Sequence, residues 1–149
     1  MVKGYTAYAD PDVTAKAIGK ELPISPRSSR EVCGMIRGKK VNDAVRMLEE
    51  VVALKRPVPL KRFKKRVSHK PGVGPGRYPK KAAGAILEVI QSAMANAEYK
   101  GLDSDEMVIA TITASRGRVQ RGFMPRAQGR ATPWNQELVN IEVILEEVE

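Results

Sequence analysis

The stretch Met107-Val-Ile-Ala-Thr-Ile-Thr-Ala114 has the period of two that is typical of a β-strand. One face would carry Val108, Ala110, Ile112 and Ala114, and the other Met107, Ile109, Thr111 and Thr113. A second such stretch, Val139-Asn-Ile-Glu-Val-Ile-Leu-Glu146, places Val, Ile, Val and Leu on one face, and Asn and Glu on the other. The two are about twenty-five residues apart, which is uncommon for a structureless loop in a compact domain. The sequence therefore predicts one long antiparallel hairpin over residues 107–147, with its turn near Arg126-Ala127-Gln128-Gly129.

The outer part of this hairpin, about residues 115–135, has almost no alternating apolar face. Its five arginines stand among Gly, Ser, Gln and Ala, so it cannot rest on a protein core. About twelve residues per arm, at about 3.3 Å each, give a projection of roughly 40 Å. Gly129 can supply the positive φ that the turn requires. Because an isolated two-stranded ribbon is marginally stable in water, we expect it to be ordered by a partner and mobile without one.

Three helices are predicted ahead of the hairpin, after a short extended segment at residues 13–24. The first begins at Ser25-Pro26, with Ser25 as the capping acceptor and Pro26 at the first helical position. Asn42 is predicted to cap the second helix, which Arg56-Pro57 ends. Pro79 begins the third and longest helix.

The segment between the second and third helices, residues 57–79, is rich in Pro and Gly. We therefore expect a basic loop with little regular structure there. Taken together, these elements predict an α+β fold that forms a single domain over residues 1–149. In this fold a small antiparallel sheet packs on three helices and a long β-hairpin protrudes.

The net charge of +9 is unevenly distributed along the chain. Residues 55–81 hold eleven Lys or Arg and no acid, and residues 115–130 hold five Arg and no acid. The remainder has ten bases against seventeen acids, a net charge of −7. A merely solvated face would intersperse acids with bases, so two cationic surfaces on an acidic body indicate a polyanionic partner.

The starts of the first and third predicted helices add to these surfaces, because Arg27 and Arg30 lie at one and Lys80 and Lys81 at the other. The positive end of a helix macrodipole favours anions, so bases placed there indicate a phosphate site. Because the bases are spread over loops, helix starts and an arginine ribbon, structured RNA fits them better than duplex DNA. The predicted RNA-binding residues are Arg27, Ser28, Arg30, Lys39, Lys40, Lys61, Arg62, Lys64, Lys65, Arg66, His69, Lys70, Arg77, Lys80, Lys81, Arg116, Arg118 and Arg121.

The sequence offers no local catalytic or metal-binding constellation. His69 and Cys33 are its only histidine and cysteine, which excludes a disulfide and a Cys/His zinc site within the chain. The run Gly72-Val-Gly-Pro-Gly76 lacks the spacing of nucleotide-binding loops. We therefore predict no enzymatic activity, no cofactor and no metal. No apolar run approaches the length of a membrane span, and without an apolar signal segment at the start of the sequence we expect a cytosolic location.

Four runs of residues resemble the universal large-subunit ribosomal protein family number twenty-two. One is the predicted turn, Met124-Pro-Arg-Ala-Gln-Gly-Arg-Ala131. The others are, in chain order, Arg37-Gly-Lys-Lys-Val41, Gly76-Arg-Tyr-Pro-Lys-Lys-Ala82 and Asn96-Ala-Glu-Tyr-Lys-Gly-Leu-Asp103. They span nearly the whole chain. The last two are similar to the archaeal and eukaryotic branch, and the moderate length favours archaea.

This resemblance implies a structural constituent of the large ribosomal subunit, in the cytoplasm, that binds large-subunit ribosomal RNA and supports subunit assembly. It also implies neighbouring ribosomal proteins as partners, and no membrane. The family's hairpin threads through ribosomal RNA, and its tip lines the exit tunnel of the nascent polypeptide. Carried onto this chain, the tunnel-lining residues would be Met124, Arg126, Gln128, Gly129 and Arg130. Charge alone leaves an alternative open, which is a free-standing RNA chaperone or nucleic-acid-binding regulator.

Overall fold

Three helices, eight strands and one short 3₁₀ turn make up the described part of the chain. The computed structural model describes residues 5–7, 9–104 and 106–147. In chain order the elements are β1 (Thr14–Leu22), α1 (Pro26–Ile36), α2 (Val41–Val52), β2 (Val58–Pro59), β3 (His69–Lys70), β4 (Gly74–Arg77), α3 (Lys80–Tyr99), β5 (Met107–Gln120), β6 (Phe123–Pro125), the 3₁₀ turn (Ala127–Gly129), β7 (Ala131–Pro133) and β8 (Gln136–Glu147).

The main sheet has three antiparallel strands in the order β1-β8-β5, so that β8 is central. Helix α3 packs on β1 and β8, and α1 packs on β5. The core that they enclose includes four alternate residues of β8, namely Val139, Ile141, Val143 and Leu145. Each such aliphatic side chain contributes about 1.5–3 kcal/mol when it is fully buried. The predicted α+β fold, with a small sheet on three helices and a long protruding hairpin, is confirmed.

The start of α1 differs from its prediction in one respect. The helix begins at Pro26, but the Ser25 side chain makes no capping hydrogen bond. Instead, the Ser25 carbonyl accepts the backbone N–H of Ser29 at 2.9 Å and the Ser29 hydroxyl at 2.8 Å. The prediction that Ser25 is a side-chain cap is therefore wrong, and the first turn keeps N–H groups that no capping side chain satisfies.

Helix α2 is displaced from its predicted ends. It begins at Val41 with Lys40 in the capping position, so the prediction that Asn42 caps it is wrong. Val41 is fully buried, and the burial of this side chain in the first helical turn sets the start. The helix ends at Val52, because Leu54 has a φ of 61° and takes the chain out of the helix ahead of Pro57.

Residues 57–79 contain more regular structure than the sequence predicts. They form a small antiparallel sheet in the order β2-β4-β3, in which Pro59 pairs with Gly76 and His69 pairs with Pro75. Strands of two to four residues that contain Pro and Gly have no detectable period. The expectation of a loop with little regular structure therefore needs correction: eight of the 23 residues lie in paired strands, and the basic side chains of this segment project from a folded lobe.

The hairpin is a continuous antiparallel pairing of β5 and β8 that β6 and β7 extend outward. The first pairing runs from Met107 opposite Glu147 to Gln120 opposite Gln136. Gly117 and Arg118 stand opposite the single residue Leu138, which is a β-bulge of the kind that bends and twists a strand. Among residues 115–137, all of which are described, none is buried. The bulge therefore lies where the hairpin leaves the core.

Candidate nucleic-acid interface

The starts of α1 and α3 lie at the same end of the domain as the outgoing hairpin. Ser25 and Pro26 at the start of α1 and Lys81 of α3 line one open groove with Val119 and Gln136 of the hairpin. Helix α3 ends at the opposite side, where the Lys100 ammonium donates to the carbonyl of Thr14 at 2.9 Å. Thr14 pairs with Glu146 at the far end of β8. The molecule therefore has a basic end, at the hairpin root, and an opposite end, at which α3 ends.

The basic end contains a cleft of about 290 Å³ that brings three predicted surfaces together. Arg27 and Arg30 come from α1, Arg62 from the lobe 57–79, and Arg116 from the hairpin. These residues are far apart in sequence, and the fold makes them neighbours. We call this cleft, lined by Pro26, Arg27, Arg30, Glu31, Arg62, Phe63, Ala114 and Arg116, the arginine cleft.

Glu31 is the one acid among the described residues that line the arginine cleft. Its two carboxylate oxygens accept the backbone N–H groups of Lys61 at 3.1 Å and of Arg62 at 3.0 Å. The carboxylate therefore fixes the lobe to α1. Charge-assisted bonds of this kind are stronger than bonds between neutral groups.

Phe63 is a member of the arginine cleft that the sequence analysis missed. Its side chain is 61% exposed, and its ring centroid lies 4.8 Å from the guanidinium carbon of Arg27 and 5.0 Å from that of Arg62. Guanidinium groups at this distance interact with the ring through cation–π attraction. A signal was present in the sequence, since Phe63 is the only phenylalanine in the acid-free run of residues 55–81.

A second cleft, of about 250 Å³, lies beside the first and shares Arg27, Glu31 and Phe63 with it. It brings together three more predicted residues, Ser28, Lys65 and Arg77, from α1, the lobe and β4. The Lys70 ammonium lies 5.7 Å from the ring centroid of Tyr78. The remaining predicted residues of this region are exposed and line neither cleft; they are Lys61, Lys64, Arg66, His69, Lys80 and Lys81.

Lys39 and Lys40 are not part of this cluster. They join α1 to α2 and pair with the free edge of β5, where the Ile109 N–H donates to the Lys39 carbonyl at 2.9 Å. Ile109 is seven residues before Arg116, a separation of about 23 Å along a strand. The structure therefore places these two lysines at the end of the molecule opposite the basic end, as a separate exposed pair.

The hairpin arginines differ in whether the protein already pairs them. Arg116 lies 3.7 Å from a Glu137 carboxylate oxygen, and Arg118 lies 3.1 Å from one of Glu21. Farther out, Arg121, Arg126 and Arg130 have no ion-pair partner among the residues that the structure describes. Surface ion pairs are worth about 0–1 kcal/mol and exchange readily with other partners. The least compensated charge is therefore at the outer hairpin.

The tip is a tight turn with two left-handed residues. Gln128 and Gly129 have φ values of 59° and 68°, and the Arg126 N–H donates to the Arg130 carbonyl at 2.7 Å. Gly129 thus has the positive φ predicted for it, and Gln128 shares that conformation. Of the predicted tip residues, Met124 is half-buried, and the other four are exposed, namely Arg126, Gln128, Gly129 and Arg130.

Gly122 sets the spacing of the two hairpin arms. Its carbonyl accepts the Trp134 N–H at 2.6 Å, and a Cβ atom added to Gly122 would lie 2.9 Å from the Trp134 carbonyl oxygen. The arms approach there as closely as backbone atoms allow. Next to this point the side chains of Phe123 and Trp134 are 75% and 58% exposed. The outer ribbon therefore presents aromatic surface as well as charge.

The helix starts at the basic end lack compensating groups. Neither α1 nor α3 has an acid in its first turn or a side-chain cap. Helix α2, which begins near the opposite end of the molecule, has Asp43 in its first turn. The first-turn N–H groups of α1 and α3 are consequently accompanied by bases and not by acids. This arrangement suits an external anion.

Other chemistry has little support in the part of the chain that is described. Burial raises the pKa of the Cys33 thiol to about 12, against the opposing effect of Arg37, so the thiol stays protonated at neutral pH. No group of three or more potential metal ligands occurs among the described residues. In the same residues, no helix has the length and apolarity needed to cross a membrane.

The fold and the charge distribution together define an α+β domain with a concentrated basic end and an arginine-rich β-hairpin. The sequence model of the family described as ribosomal protein L22p/L17e matches residues 17–146, and the chain belongs to this family. The predicted family is thereby confirmed. Members of this family are structural constituents of the ribosome, which places the chain in the ribosome, in the cytoplasm, as the sequence predicts.

Relatives from archaea match almost the whole chain. The large ribosomal subunit protein uL22 of Methanothrix thermoacetophila is 55% identical over 137 residues, which are 90% of this chain and 90% of the relative. The protein of the same name from Methanocella arvoryzae is 49% identical over 148 residues, 97% of each chain. That of Archaeoglobus fulgidus is 49% identical over 151 residues, 98% of this chain and 97% of the relative.

Proposed function

We propose that this chain is a constituent of the large ribosomal subunit that binds large-subunit ribosomal RNA and supports subunit assembly. Its basic end holds the RNA, its hairpin extends into the RNA, and its tip lines the exit tunnel of the nascent polypeptide. The names of the relatives support the subunit, and the distribution of charge supports RNA as the direct partner. Neighbouring ribosomal proteins are further partners.

One observation carries the RNA-binding part of this proposal. Arginines from three segments far apart in sequence meet in the arginine cleft, and the ribbon that begins beside them has no core of its own. Concentrated like charge with few acidic partners in the protein disfavours the free state and favours a state that contains a polyanion. Two clefts, two uncompensated helix starts and one ribbon, all at one end, match the spread phosphates of a folded RNA better than a single groove of a duplex.

The contacts that we assign to RNA are those predicted from the sequence. The arginine cleft and the cleft beside it hold Arg27, Ser28, Arg30, Arg62, Lys65, Arg77 and Arg116. The exposed bases of the lobe, the starts of α1 and α3, Arg118 and Arg121 enlarge the same surface. Lys39 and Lys40 make a separate contact at the opposite end of the molecule.

The salt dependence of binding to purified large-subunit RNA tests the RNA-binding part. If about eight bases contact phosphates, log K should fall with log salt concentration with a slope between about −6 and −7. The single tryptophan, Trp134, lies on the hairpin and reports binding through its fluorescence. A slope near zero, or equal affinity for random duplex DNA, would contradict the proposal.

Sedimentation tests the ribosomal part. The chain should travel with the large subunit in a high-magnesium lysate and leave it in high salt. A chain that binds RNA but stays at the top of the gradient would support the free-standing chaperone instead.

Crosslinking tests the tip. A photoreactive residue at Gln128 should crosslink to a nascent chain held in the ribosome, whereas one at the exposed Val119, nearer the root, should crosslink to RNA alone. Crosslinks from both positions to RNA only would contradict the tunnel-lining role.

A further inference from the structure

We propose that the arginine cleft is a binding site for one unpaired nucleobase of the RNA. The Phe63 ring and the Arg27 guanidinium form the stacking surface, and Arg30 and Arg116 bind the phosphate next to that base. This proposal rests on the proposed function, since it names the part of the RNA that one surface takes.

The position of Phe63 is the first observation. The Phe63 side chain is 61% exposed although its ring lies near two guanidinium groups, so part of the ring is open to a ligand. Its φ of 55° is also in the left-handed region, which a bulky residue rarely adopts. Backbone strain of this kind persists where the surroundings enforce it and is found more often at functional sites.

The surroundings of Phe63 supply that enforcement. The two residues ahead of it, Lys61 and Arg62, are bound through their N–H groups to the two carboxylate oxygens of Glu31. The acid of the cleft is thereby engaged by the backbone, while the guanidinium groups of Arg27 and Arg62 lie against the ring. The planar groups are held in place before any ligand arrives, so little ordering entropy has to be paid on binding.

The chemistry of the cleft selects a nucleobase. A phosphate needs cations and no aromatic ring, whereas a base stacks on aromatic rings and on guanidinium planes. The volume of about 290 Å³ is at the lower limit of small-ligand pockets, large enough for one planar group. Arg30 and Arg116 line the same cleft and can bind a phosphate beside the base, since Arg116 is held by Glu137 only at 3.7 Å.

Substitution of the ring tests the site without changing the charge. Phe63→Leu keeps an apolar side chain and removes the stacking surface, and it should weaken binding to large-subunit RNA by about 5- to 150-fold, the range found for loss of one stacked base. The slope of log K against log salt should not change, because no phosphate contact is lost. Tyr99→Leu is the matched control: Tyr99 is a 94% exposed aromatic residue at the end of α3, away from the basic end, and its loss should leave affinity unchanged.

Arg27→Lys provides a second, independent test. It keeps the charge and removes the guanidinium plane, so binding should weaken several-fold with an unchanged salt slope. If Phe63→Leu and Arg27→Lys both bind as tightly as the wild type, while the wild type shows its steep salt dependence, the nucleobase site is wrong and the RNA-binding function stands. If the wild type itself shows no salt-dependent binding, the proposed function fails first.

Discussion

Removal of the outer hairpin should leave the domain folded and weaken its binding to RNA. Gln120 and Gln136 are directly paired, so Asn-Gly, the preferred two-residue hairpin loop, can join them in place of the fifteen residues 121–135. None of the replaced residues is buried, and the shorter loop costs less closure entropy. The free energy of unfolding should therefore stay within about 0.5 kcal/mol of the wild type or rise.

The same replacement removes Arg121, Arg126 and Arg130, which lowers the net charge from +9 to +6. If all three contact phosphates, the salt slope of RNA binding should fall in magnitude by about 2 to 3. Urea unfolding followed by far-ultraviolet circular dichroism measures the stability, because the replacement also removes Trp134. A loss of more than about 1 kcal/mol would show that the ribbon supports the core, and an unchanged salt slope would show that the outer arginines do not meet the RNA.

Three further predictions test other features of the structure. Because burial raises the pKa of Cys33 to about 12, the thiol contributes stability that is complete below its unfolded pKa of about 9 and is lost as pH rises towards 12. The free energies of unfolding of the wild type and of Cys33→Ala, measured with urea, should therefore differ by a constant amount from pH 6 to 8. At higher pH the wild type alone should lose up to about 1.4 kcal/mol of this free energy per pH unit, and a constant difference up to pH 10.5 would contradict the burial. Gly122→Ala should force the hairpin arms apart, since the new Cβ would meet the Trp134 carbonyl oxygen at 2.9 Å; the Trp134 amide resonance should shift and its hydrogen exchange should accelerate, with core amides unaffected. Lys80→Glu should stabilise the free domain by about 0.3–1 kcal/mol through the α3 macrodipole and weaken RNA binding, whereas Lys64→Glu, the same charge change on the lobe, should weaken binding alone.

The parts of the fold with a strong period were predictable from sequence. The alternation in 107–114 and 139–146 placed the hairpin strands, and the long apolar stripe behind Pro79 placed α3. The lobe 57–79 was missed because its strands are too short to show a period. The cap of α2 was misassigned because burial of Val41, a tertiary effect, outweighed the capping preference of Asn42.

The candidate interface was predictable as a set of residues and not as a shape. Acid-free runs identify where bases concentrate, but three of those bases, Arg56, Arg116 and Arg118, find acids from outside the runs in the folded chain. They do not show that Arg27, Arg62 and Arg116 share a cleft, because this depends on the folding of the lobe against α1 through Glu31. Nor do they show that Glu21 and Glu137 partly neutralise the root of the hairpin while its outer half stays unpaired.

Groups that the protein leaves unfavourable occur together at the basic end. The starts of α1 and α3 carry bases without side-chain caps, and Phe63 and Arg66 hold left-handed conformations that cost about 1–2 kcal/mol each. The opposite end of the molecule differs, since α2 has an acid in its first turn and the Lys100 ammonium is bound by two carbonyl groups. The buried residues of the main sheet and of the three helices must therefore stabilise the free domain without help from these groups at its basic end. A polyanion that supplies the missing caps and counter-charges stabilises that end by binding only the folded state, so RNA should complete the structure as well as occupy it.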